Sequence, residues 1–180
     1  MNDTDLSLKE HTSAGPRILL TVTNRWPVVP RLVLSLCKMG CKVAVLCPTP
    51  GHPVQKVNDV EHIFHYRGLA PIRSLRTAIE TFAPDMIIPC CDRSVQHLHE
   101  LHAISRTSDS VERRIAALIE RSIGLPDGFP IVSSRCDLLK LAQAEGILVP
   151  KTAAIESDAE LQLWGTESGS PWVMKTAGTW

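Results

Sequence analysis

Residues 17–47 read RILLTVTNRWPVVPRLVLSLCKMGCKVAVLC, and the order of patterns in this stretch decides the fold class. Arg17 to Thr23 is a short β-rich run between Gly15-Pro16 and Asn24. It is almost continuously apolar, as a strand covered on both faces must be. Pro30 to Met39 carries apolar residues at 32, 33, 36 and 37, one face of a helix, and Gly40 sits where a helix-terminating glycine belongs. Lys42 to Cys47 is a second buried-type strand, stopped by Pro48. Strand, helix and strand in about 30 residues make a βαβ unit, which implies a parallel pair and a right-handed crossover.

The alternation continues downstream. His62 to Tyr66 reads as a weak third strand and Ser74 to Phe82 as a helix with Leu75, Ile79 and Phe82 inward. Met86 to Cys90 reads as a fourth strand that ends or bends at Pro89. Helices are expected over Ser94–Ile104 and Val111–Ile123, the second with Asp109 as N-cap, Glu112 three residues on and Gly124 as its stop. The expected architecture is therefore α/β: an open, mostly parallel, Rossmann-like sheet with flanking helices over residues 17–128. Leu125 to Pro130 is a turn-rich joint. Beyond it the rhythm changes. Ser134 caps a helix reaching Glu145, with Gly146 as its stop; Lys151–Ile155 reads as a strand; Ser157 and Glu160 form a capping box for a helix ending near Gly165; Pro171–Thr176 reads as another strand.

Composition narrows the function classes. Lys and Arg number 19 and Asp and Glu 19, with aromatics at 4%. A neutral chain poor in aromatics lacks both the field and the stacking platform of a nucleic-acid binder. No apolar run approaches the roughly 18 residues that cross a bilayer, so neither nucleic acid nor a membrane is an expected partner. Residues 1–16 are polar and lack an apolar core, which reads as a disordered leader rather than a secretory signal. The six cysteines (Cys37, Cys41, Cys47, Cys90, Cys91, Cys136) form no C-x-x-C pair. They read as reduced structural thiols of a cytoplasmic protein.

Several motifs fail on inspection. The loop Thr23–Pro27 contains no glycine, so the G-x-G-x-x-G turn of dinucleotide-binding folds is missing, and no Walker A loop occurs. Ser35-x-x-Lys38 lacks the companion motifs of an acylating serine and reads as chance. Cys90, Cys91, His97, His99 and His102 could supply metal ligands. Adjacent cysteines point apart, however, and His97 and His99 lie on different helix faces, so two buried thiols and a solvated histidine face are the simpler account, with no metal site expected. Asn24 and Arg25 follow the first strand and Asp92 the fourth, where ligands of open α/β sheets bind. Asp92 has two compatible roles, cap of the next helix or ligand contact.

The most specific pattern spans residues 133–178: SSRCDLLKLAQAEGILVP (133–150), then PWVMKTAG (171–178). A basic residue opening a helix, a G-[IV]-x-x-P turn and a P-x-V-x-K strand entering a glycine-containing loop resemble the start of the ATP-grasp fold. The preceding βαβ region resembles the pre-ATP-grasp domain of carbamoyl-phosphate synthase, biotin carboxylase and the purine-biosynthesis ligases. The resemblance covers residues 17–180 and is most specific at 133–178. It implies that residues 129–180 begin an α+β nucleotide-binding lobe, that Arg135 and Lys175 contact ATP phosphates, and that Gly178 opens the phosphate-covering loop. It implies ATP and Mg as cofactors, a small-molecule carboxylate as substrate, an acyl-phosphate intermediate displaced by an amine or related nucleophile, and a homodimer as a compatible state.

The residues make sense of this. A cation at a helix start opposes the dipole but suits a polyphosphate, and each charge-assisted bond to phosphate contributes about 1.5–3 kcal/mol. The plainer accounts are a solvated Arg135 and a Lys175 that guards a strand edge. In the family the rest of the glycine-rich loop, the adenine hinge and the acidic magnesium ligands lie C-terminal to this stretch. The 180 residues are therefore expected to be the incomplete front part of a ligase, inactive alone, with Leu161, Trp164, Val173 and Trp180 lacking a covering layer. The alternatives are a glycosyltransferase-like acceptor domain, from Gly40-Cys-Lys-Val-Ala-Val45 after the first helix, and a non-catalytic α/β binding module.

Overall fold

The computed structural model describes residues 15–106 and 109–176. The leader expected over 1–16 lies, as far as residue 14, outside the described residues; Pro16 is already held, its carbonyl accepting from the Lys42 N–H at 2.9 Å. Four parallel strands, β1 (Arg17–Thr21), β2 (Lys42–Cys47), β3 (His62–His65) and β4 (Met86–Pro89), lie in the order β3-β2-β1-β4. The register sets Thr21 beside Leu46 on one side and Pro89 on the other. The apolar runs are explained by what covers them. Ile18, Leu20, Val43 and Val45 pack under α1 (Val28–Lys38) through Val29 and Val33. Leu19, Ala44 and Ile87 face α2 (Pro71–Phe82), α3 (Asp92–Ile104) and α4 (Ser110–Ile123), through Leu75, Phe82, Leu98 and Ile119. Strand alternation thus feeds two apolar layers, each fully buried Val, Leu, Ile or Phe contributing about 1.5–3 kcal/mol.

Local signals set the helix ends. Asp109 accepts from the Val111 and Glu112 N–H groups at 2.7 and 3.2 Å, and Gly124 closes α4 at φ +94°. The Glu112 carboxylate does not complete a capping box; it pairs with Arg76 on α2 instead. Gly40, at φ +82°, follows the end of α1 as expected. α2 stops at Ala83, a non-glycine residue at φ +46°. At the outer side of β4 the Ile87 N–H donates to Ser122 Oγ (2.9 Å), and Arg121 donates to the Asp85 carbonyl (3.0 Å). Pro89 is compatible with β4 because the strand is at the sheet edge.

The downstream segment corrects several expectations. The joint after Leu125 holds a 3₁₀ turn (Pro126–Gly128) and a short helix α5 (Phe129–Ser133). α6 (Arg135–Ala144) starts as expected at Ser134, whose Oγ accepts from the Asp137 N–H at 3.2 Å. α7 (Asp158–Ser168) runs through Gly165 and stops at Gly169, φ +68°. A helical glycine costs only about 1 kcal/mol, so Gly165 weakens the helix without ending it. Residues 151–155 and 171–176, expected as strands, belong to no ladder among the described residues. A strand requires a hydrogen-bonded neighbour, and none is supplied here. Val173 is 80% exposed, Leu161 and Trp164 are half-buried, and Trp180 lies outside the described residues.

Candidate functional site at the crest of the sheet

In the order β3-β2-β1-β4 the chain leaves β1 toward β2 on one side while β4 lies on the other, so the carboxyl ends of β1 and β4 flank the switch point at which ligands of open α/β sheets bind. The three residues that the sequence singles out follow these two strands. Asn24 and Arg25 follow β1 and Asp92 opens α3 beyond β4, all exposed. Arg25 turns toward the loop after β2 and donates to the Pro50 carbonyl at 3.0 Å. Asp92 lies in the first turn of α3 rather than at its cap. Cys91 occupies the cap position, with no side-chain capping bond. A carboxylate in the first turn still favours the helix dipole, which leaves the Asp92 head facing water.

Cys91 organises this crest. Its Sγ lies 3.3 Å from Thr23 Oγ1 and 3.2 Å from Ser94 Oγ, linking β1's loop to α3. Burial alone would raise its pKa, but hydrogen bonds from Ser94 and Thr23 bring the thiol below its ordinary value, as helix N-termini do for cysteines generally. Its neighbour Cys90 behaves oppositely: burial and the Cys91 charge push it up to about 11. Cys47, fully buried in β2, is also pushed up to about 11 by burial. Beside the thiol is a narrow cleft lined by Thr21, Thr23, Tyr66, Ser94 and His97, with about 10 Å³ of water-sized space at its floor, enough for about one water. Thr21 Oγ1 is buried without a protein partner. Tyr66 OH lies 3.1 Å from His97 Nε2, and burial raises the phenol.

The five residues read as a metal set or a solvated face form neither. His97 is bound to Tyr66, His99 stacks on Phe129, and His102, buried, sits 2.7 Å from Glu120. Among the described residues no group of three His, Cys, Asp or Glu could hold a metal ion. The histidines turn inward because α3 packs between α2 and α4, and α5 covers its end. Ser35 donates back to the Arg31 carbonyl within α1 at 3.1 Å, an ordinary helical bond. Thr23, Tyr66, Ser94 and Cys91's role at the helix start escaped the sequence reading. The available signal for Cys91 was its place directly after a parallel strand and before a helix.

Of the downstream cations, Arg135 is the first residue of α6 and exposed, and Lys175 lies in the irregular 171–176 stretch, also exposed. With no ladder there, the expected pairing of Lys175 with Val173 on one face is not imposed. Gly178 lies outside the described residues. Between α6 and residues 149–154 runs a groove of about 270 Å³ lined by Cys136, Lys140 and Lys151 among others. Lys151 Nζ sits 4.9 Å above the Trp164 ring, which ties this stretch to α7.

No family model matches the sequence, and no curated protein matches it. Solved structures do. An N5-carboxyaminoimidazole synthetase from Staphylococcus aureus complexed with ADP aligns over 91% of this chain at TM-score 0.60 and 17% identity. An L-amino acid ligase from Bacillus licheniformis aligns over 84% at 0.55 and 14% identity. The biotin carboxylase domain dimer of a Hydrogenobacter thermophilus 2-oxoglutarate carboxylase, with MgADP and bicarbonate, aligns over 88% at 0.50 and 14%. The chain spans 39%, 34% and 34% of those chains respectively. The fold is that of the N-terminal part of ATP-grasp ligases. No described helix is long and apolar enough to cross a membrane.

Proposed function

We propose that this stretch is the N-terminal part of an ATP-dependent ligase that activates a small-molecule carboxylate as an acyl phosphate and passes it to an amine or related nucleophile. The observation that carries the reading is the crest above β1 and β4, with Asn24, Arg25 and Asp92 at its rim, on a fold shared with nucleotide-bound ligases. In this reading residues 17–128 form the substrate-facing layer and residues 129–180 open the nucleotide lobe.

Exposed Arg135 and Lys175 fit a polyphosphate, since each can offer charge-assisted hydrogen bonds to phosphate oxygens. ATP, when bound, supplies the phosphoryl group. Arg135 and Lys175 bind and orient its phosphates, and Asp92 orients the substrate's polar end. Magnesium belongs to the proposal for the whole protein, because the resemblance puts its acidic ligands C-terminal to this stretch. Cytoplasmic residence and homodimer formation complete the reading; six free thiols suit a reducing compartment.

The test uses the full-length gene product. ADP release is followed with MgATP and a panel of small carboxylates. Carboxylate-dependent ADP release is expected, and its absence across the panel overturns the reading. Lys175→Ala and Arg135→Ala should raise the KM for ATP. Asp92→Ala should raise the KM for the carboxylate or lower kcat; unchanged kinetics remove Asp92 from the site.

A further inference from the structure

Among the described residues beyond 128, Phe129 alone is buried, at 8% exposure. Phe129 is thus the one fully packed side chain among the described residues of the segment that follows the α/β layer. It rests on histidines. The Phe129 and His99 rings stack at 3.9 Å between centroids with 11° between planes, and His102 meets Phe129 edge-on at 5.4 Å. His99 Nε2 is shut off from water and has no partner.

We propose that the His99–Phe129 stack is a protonation-sensitive latch, which holds residues 129–176 against the α/β layer at neutral pH and releases them as the medium acidifies. Neutral imidazole can leave a ring nitrogen as an unpaired acceptor at moderate cost. Protonation would place an N–H donor and a positive charge in the same dry contact, a far costlier state. The attraction of a cation for the phenyl face does not offset this, because the charge would also sit beside His102. Burial first, and His102 second, hold His99 below the ordinary histidine value.

The titratable groups around the stack are few. His102 lies on the same helix and Glu120 on α4, the latter engaged with His102 Nε2 at 2.7 Å. His97 and Glu100 face Tyr66 and each other. α5, FPIVS, carries no charge, and Asp127 in the turn before it is exposed. The sign follows. The docked state binds fewer protons than the released one, so the latch is strongest above the ordinary histidine value near 6.5 and weakens as pH falls below it. The inference stands apart from the ligase reading, since it requires no nucleotide. It would nonetheless place Arg135, a few residues beyond Phe129, under pH control.

The experiment is hydrogen–deuterium exchange on the full chain between pH 7.5 and 5.5, each amide normalised to its intrinsic rate. Opening of 129–145 should rise several-fold toward pH 5.5 while β1, β2 and β4 keep their protection. His99→Phe and His99→Gln should both flatten this dependence, so the test survives if one variant fails to fold. An NMR titration of the wild-type His99 ring should have its midpoint below that of an exposed histidine. The proposal is overturned by pH-independent protection of 129–145, by the same dependence in folded His99 variants, which would assign it to His102–Glu120, or by an ordinary His99 titration.

Discussion

Two adjacent cysteines with opposite acidities give the sharpest check on the crest. At pH 8 a thiol of pKa about 11, the value for Cys90, is about 0.1% ionised. A thiol at the ordinary 9.0 is ionised to about 9%, roughly 100-fold more, and the Ser94 and Thr23 hydrogen bonds hold Cys91 below that value. A less basic thiolate is intrinsically less nucleophilic, with a Brønsted slope of about 0.5, which returns about tenfold over two pKa units. Cys91 should thus be alkylated by iodoacetamide about tenfold faster than Cys90. Site-resolved mass spectrometry over a time course reads both rates in one sample. Thr23→Val and Ser94→Ala each remove a hydroxyl that stabilises the thiolate and should slow Cys91 without speeding Cys90. Equal rates at the two sulfurs, or a Cys91 rate indifferent to both substitutions, would refute the account of the helix start.

Ala83 ends α2 at φ +46°, where a Cβ is strained and glycine is not. Ala83→Gly should therefore raise stability by about 1 kcal/mol in urea unfolding, and a loss would show that the strain is illusory. Asp109→Ala removes two cap bonds from α4 and should cost about 1–2 kcal/mol, with Asp109→Asn recovering most of it. The hydrogen bond from Arg76 holds the Glu112 carboxyl below its ordinary 4.5. The folded state then binds fewer protons, so this pair's stabilisation is complete above about 4.5 and fades as pH drops toward the depressed value. Glu112→Gln should flatten that part of a pH–stability curve, and an unchanged acid limb would remove the pair from consideration.

What the sequence made legible was whatever depends on neighbours along the chain. RILLT and KVAVLC read as covered strands because both faces are apolar and the helical pattern of α1 lies between them. Asp109, Ser134 and Ser157 read as caps because a cap bonds within three residues. Contacts across the fold were silent. Nothing local pairs Arg76 with Glu112, Tyr66 with His97, or His99 with Phe129, each joined by packing of helices or strands far apart in sequence. PWVMKT shows the converse failure: its composition favours a strand, yet a ladder needs a second participant and no described residue provides one. Gly165 misled for a third reason. Glycine marks a helix end through its backbone angle, and it is Gly169 that adopts the positive φ.

The outer flank of β4 has a consequence for growth by strand addition. Alternation turns the N–H groups of residues 87 and 89 outward. One is taken by Ser122, and the other does not exist, because residue 89 is proline. A foreign peptide approaching that side would meet no free donor on β4, and the Asp85 carbonyl is occupied by Arg121. A second copy or another polypeptide adding a strand there would have to pair without a single donor from β4.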